Sequence, residues 1–157
     1  MRSKIDDVVP LYFDGESIQN IIAFLRFCKK NIITTPWSAT NRWKIQFKGK
    51  RLGMIYIGKS PCEPGREGFV ENEWYIHIDN GLAAVKMDNL VEIAQRNILP
   101  CQRKAIKPCF ESNVVAVLGR EHKDICPSSG KRFRNPDTET LDCVKRSLEI
   151  TIKEGKG

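Results

Sequence analysis

The chain has 157 residues, 29% charged and 41% hydrophobic, a balance that fits a folded globular protein and excludes a disordered chain or a bundle of membrane spans. That length suits one domain that buries roughly two-thirds of its unfolded surface without covalent staples. The net charge of +7 divides into excesses of +3 before and +4 after Pro100, so it favours approach to anions without marking a basic tail.

Met1-Arg2-Ser3-Lys4-Ile5-Asp6-Asp7 reaches acidic residues with no apolar stretch behind it, unlike a secretory signal. A cytosolic location is expected, with no membrane association. There, six cysteines are expected as free thiols or metal ligands and not as a disulfide framework.

The first element read from the pattern is a helix over residues 17–31. Ser17 caps it, and Ile18, Ile21, Ile22, Leu25, Cys28 and Ile32 recur at helical spacing. Phe24 and Phe27 fall off that stripe, so a second surface must cover the helix. Thr34-Thr35-Pro36 stops it, because a residue before proline avoids the helical region. From Arg42 the period changes to two. Trp43, Ile45 and Phe47 alternate with polar residues as in a half-buried strand.

Lys48-Gly49-Lys50 reads as the turn of a hairpin whose second strand, 51–57, puts Leu52, Met54 and Tyr56 on one face and Ile55 and Ile57 on the other. Being apolar on both faces, it is the more central strand. A Pro- and Gly-rich loop follows over 58–68, then a third strand from Trp74 that ends at Asn80-Gly81. Residues 83–98 fit a helix, with a shorter one from Asn89 capped by Asp88 as the alternative; Pro100 closes either. Val114–Leu118 reads as a strand or a buried extended piece. A last helix starts at Pro136 with Asn135 as its cap, and buries Leu141, Val144, Leu148 and Ile152.

The expected fold class is therefore α+β. A small antiparallel sheet, hairpin plus third strand, is packed by helices, with residues 1–100 as the core and residues 101–157 as a cysteine-bearing appendage and terminal helix laid on it.

Four candidate chemistries follow. Cys101, Cys109, His122 and Cys126 offer three thiolates and an imidazole, a donor set suited to tetrahedral zinc, although the first interval is wider than a zinc knuckle's; packed free thiols are the competing reading. Lys44, Lys48, Lys50 and Arg51, with Lys59 and interleaved aromatics, offer a phosphate-neutralising hairpin for nucleic acid. Trp37, Trp43, Tyr56 and Trp74 are candidates to line a small-ligand pocket, with Trp37 set apart in a Thr-Pro-Trp-Ser loop. Cys62, with Lys59 and Arg66 nearby and His77 within conceivable reach, is the candidate for thiol catalysis, but it lacks an oriented base. The string Gly53 to Ser60 matches a P-loop by letter. Its strand-like interior and the prolines after it argue against phosphate binding of that kind.

The hairpin Trp43–Ile57, together with the tail joining Cys101, Cys109, Leu118-Gly119-Arg120, Cys126 and Phe133–Lys145, resembles uncharacterised bacterial, clostridial-type α+β families of unknown function, some loosely called YdhG-like. The resemblance implies a fold and no reaction. The expectation is a non-enzymatic domain that binds a small ligand or a protein partner and needs no certain cofactor. The alternative is a zinc-stabilised nucleic-acid-binding module, and a thiol-dependent enzyme is third.

Overall fold

The computed structural model describes residues 2–60, 68–101 and 114–155. It opens on a helix that the hydrophobic pattern leaves unassigned, α1 (Ile5–Tyr12), which buries Ile5, Val8 and Val9. Two turns carrying an internal Pro10 give too short a stripe to read from sequence. Then comes α2 (Gly15–Lys30), which buries Ile21, Phe24, Leu25 and Cys28. Phe24 is fully buried and tilts against Trp74 at 6.4 Å, whereas Ile32 is exposed.

The sheet has five antiparallel strands in the order β1 (Trp37–Ala39), β2 (Arg42–Phe47), β3 (Lys50–Ile57), β4 (Trp74–Ile78) and β7 (Arg132–Arg134). The expected three strands are present with β3 in the middle, and a short strand is added at each edge. Lys48 and Gly49 both take positive φ, the two-residue turn that matches strand twist. A register shift lies between Ile45 and Gln46, which face Gly53 and Arg51, so Leu52 is an extra residue on β3. That bulge turns Leu52 into the main core. Its expected face-mates Met54 and Tyr56 cluster with Tyr75 on the opposite side.

Residues 83–89 are not helical. A shorter helix is present, but it starts one residue later than the alternative: α3 (Leu90–Arg96) has Asn89, not Asp88, at its N-cap position and no side-chain cap. Val114–Val117 forms β5, with Val114 and Ala116 exposed and Val117 buried, and pairs with β6 (Arg120–Lys123) in a separate hairpin.

The last helix, α4 (Thr138–Lys153), starts two residues later than expected, capped by Asp137, whose carboxylate accepts from the Thr140 amide at 2.8 Å. Asn135 is otherwise engaged. Its backbone has φ of 42°, and it exchanges two bonds with Trp74, donating N–H to the carbonyl and accepting the Trp74 amide on Oδ1.

One face of the sheet, with Trp43, Ile45, Ile55, Ile57, Trp74, Ile76, Ile78 and Phe133, meets α1, α2 and α4 in a single apolar core. Phe133, Leu141, Val144 and Leu148 belong to this core, so the segment after Pro100 supplies an edge strand and a helix to the same sheet. The second surface required over Phe27 is α4, whose Lys145 ammonium lies 5.9 Å from the Phe27 ring. No helix among the described residues is long and apolar enough to cross a membrane.

Candidate functional site

A groove of ≈490 Å³ lies where the N-terminal segment crosses the β1 edge. Pairing builds its floor. Trp37 stands opposite Trp43, Lys44 donates its amide to Pro36 at 2.9 Å, and Thr34 exchanges two backbone bonds with Gln46. The wall is pinned by the Trp43 indole, which donates to the Ser3 carbonyl at 2.8 Å and so uses the polar handle of a buried tryptophan. Trp37 is half-buried in this groove, beside Arg2, Lys4, Lys44, Ser38 and Asp6. Asp6 is engaged by Lys29 at 2.7 Å, and the other charged residues among the described lining are Arg2, Lys4 and Lys44.

The sheet face turned away from the helices has a different character. Register aligns Arg42, Tyr56, Tyr75 and Arg134 in one row across four strands, and Lys44, Met54, His77 and Arg132 in the next. Tyr56 has the Arg42 and Arg132 guanidinium carbons 5.8 and 5.4 Å from its ring centroid, within cation–π reach. Burial and then the Arg132 charge push the His77 imidazole down to about 4, against the opposing pull of Asp79, 3.5 Å away. His77 is thus neutral at pH 7 and a weak base, and its buried Nδ1 has no hydrogen-bond partner among the described residues.

The four aromatics proposed for one pocket are divided among three places. Trp43 and Trp74, each 1% exposed, are core residues on the helix side, Tyr56 is on the opposite face, and Trp37 lines the groove. Of the hairpin cations, Lys44 joins Trp37 in the groove. Lys48, Lys50 and Arg51 are exposed around the hairpin end, where Lys48 lies over Phe47 and Arg51 pairs with Asp79 at 3.0 Å. Lys59 is buried. Gly53–Ile57 is strand, as the reading against a P-loop requires.

A bridge between Pro100 and Ile125, with the Cys101 amide donating to Asp124 and the Cys126 amide to Leu99, puts Cys101 and Cys126 on the same side of two paired segments. His122 is half-buried on β6 opposite Val115. Cys109 lies outside the described residues, as do Cys62 and Arg66. Among the described residues no group of three or more His, Cys, Asp or Glu is placed to hold a metal ion. Burial pushes the Cys28 thiol up to about 12, and burial also raises Cys143, whose sulfur lies 3.4 Å from that of Met87; both are core thiols.

Sequence patterning does not single out Arg2, Lys4, Arg42, Arg132 or Arg134, which line the groove or the open sheet face. The alternation in Arg132-Phe133-Arg134 was a signal for the last two, but three residues are too few to establish a period. Comparison with known protein families, curated proteins and solved structures finds no match. The candidate sites therefore stand on their own geometry.

Proposed function

We propose that the chain is a non-catalytic binding domain for a small molecule with a flat ring and a negative charge, seated in the Trp37 groove. The observation that carries this reading is the half-buried Trp37 beside Arg2, Lys4 and Lys44 in a space of ≈490 Å³, inside the roughly 300–1,000 Å³ range of small-molecule sites. Ring stacking on an indole contributes about 0.5–1.5 kcal/mol beyond area burial, and the cations set the sign of the ligand's charge. A binding role is supported by the groove's charged lining among the described residues, which is Arg2, Lys4, Lys44 and the paired Asp6.

Because Trp43 and Trp74 are each 1% exposed, Trp37 is the tryptophan open to a quencher. Titration with AMP and with benzoate at millimolar concentrations is expected to give saturable fluorescence quenching that disappears in Trp37→Ala. Quenching that is linear for every probe, or that survives the substitution, would end the proposal.

A second reading, a zinc-supported nucleic-acid module, is favoured by Cys101 and Cys126 lying on the same side of two paired segments and by the row cations Arg42, Lys44 and Arg132. It requires the protein prepared without added zinc to retain more than about a tenth of an equivalent of metal and to bind single strands in a salt-dependent way.

A further inference from the structure

Over Tyr75, on the sheet face turned away from the helices, lies a recess of ≈40 Å³. Its polar lining comes from three parts of the chain: Ser60 after β3, Tyr75 on β4, and Arg132 and Arg134 on β7. Ser60, Tyr75 and Arg132 are 3%, 2% and 8% exposed, so these polar groups are part of the interior and not of a solvated surface. No carboxylate among the described residues lines the recess.

Ser60, Arg134 and Arg132 are held in place. The buried Asn41 amide donates to the carbonyls of Ile57 at 2.9 Å and Lys59 at 3.0 Å, which positions Ser60. Arg134 is oriented by Glu73 at 2.8 Å, and Arg132 lies over the Tyr56 ring. Leu99 and Pro100 close the apolar side, pinned by the Ser129 hydroxyl, which accepts the Leu99 amide at 3.1 Å, and by the Cys126 amide bonded to the Leu99 carbonyl at 2.7 Å.

Two arginines of β7, a tyrosine of β4 and the serine after β3 thus line one small volume, beside an apolar wall that strengthens their field. A carboxylate takes its best bonds from one guanidinium in a single plane, whereas donors spread over several directions suit oxygens arranged in three dimensions. At about 10–15 Å³ for each water the recess has room for about three, the scale of one compact oxyanion.

We propose that this recess binds a tetrahedral oxyanion, phosphate or the phosphate end of a monoester, through Arg132, Arg134, Ser60 and Tyr75. It is separate from the Trp37 groove and does not depend on that reading. Isothermal titration of the full chain with sodium phosphate, phenyl phosphate and sodium acetate tests it.

Phosphate is expected to bind saturably and acetate not to bind. Tyr75→Phe and Ser60→Ala, which keep shape and remove one hydroxyl each, are expected to weaken phosphate by at least about tenfold, the usual effect of losing a hydrogen bond to a charged group. Arg132→Gln is expected to abolish binding, and if that variant does not fold, the two hydroxyl variants decide. Trp37→Ala is expected to bind phosphate as the parent does. Phenyl phosphate binding as tightly as phosphate identifies a monoester ligand, and phosphate binding alone identifies the free ion; either supports the site. Absence of phosphate binding, equal binding of acetate, or unchanged affinity in both hydroxyl variants overturns it.

Discussion

Replacing His77 with Gln is expected to remove most of the acid sensitivity of folding between about pH 6.5 and pH 4, the window set by the unfolded and folded titrations of this imidazole. In the unfolded chain it titrates near 6.5, whereas in the fold burial and Arg132, with smaller contributions from Arg51 and Lys131, outweigh Asp79 and bring it down to about 4. The folded state therefore binds fewer protons than the unfolded state in this interval, and stability falls as pH falls. Taking these two values, the loss is about 1.4 kcal/mol at about pH 5.5 and about 2.5 kcal/mol at about pH 4.5, approaching about 3.4 kcal/mol at lower pH.

The imidazole keeps 14% of its side-chain surface in water, and screening through that edge reduces the limit to about 2–3 kcal/mol. Urea unfolding at about pH 7.5, 5.5 and 4.5 measures the slope, with the m-value checking that the transition stays two-state. Glutamine carries no charge across the range, so its curve should be flatter by about the amounts above. If parent and variant lose stability in parallel, His77 is not the titrating group and the account of this face as dry and electropositive is wrong.

Three further outcomes are expected. Asp137→Ala removes the cap on Thr140 and a 3.2 Å pairing with Arg96, and should cost about 1 kcal/mol by urea midpoint; a change below about 0.3 kcal/mol would contradict the capping assignment. Gly53→Ala puts a methyl against the His77 carbonyl across the β3–β4 ladder and should cost about 2–3 kcal/mol, since backbone must move; a neutral result would contradict the strand spacing. Cys28, with its thiol pushed up to about 12 by burial against a smaller opposing effect of Lys145, should resist iodoacetamide in the folded protein at about pH 8 and react only in denaturant; mass spectrometry of the peptide checks this.

The local elements were legible where their periodicity was long. Arg42 to Ile57 alternates over enough residues to define two strands, Lys48-Gly49 marks the turn between them, and α2 carries four buried residues at helical spacing. What escaped depends on partners distant in sequence. β7 holds one apolar residue, Phe133, and is a strand because Tyr75, Ile76 and His77 pair with it. Leu52 changes faces because of a bulge decided by the register of β2 on β3, and Asn135 is lost as a cap because Trp74 uses it.

The same limit applies to the sites. Trp37 stood out in its loop, but the cations gathered near it come from residues 2–4 and 44. Trp43 and Trp74 have the composition of a pocket and the position of a core. The recess over Tyr75 joins residues 60, 75, 132 and 134, a set visible only after β7 is placed.

Both border strands of the large sheet are three residues long, and the register of β1 on β2 shifts between Trp37 and Ala39. A newcomer aligning along either border finds too few free amides and carbonyls in line to extend the ladder. The large sheet is thereby shielded from stacking border to border with its own kind.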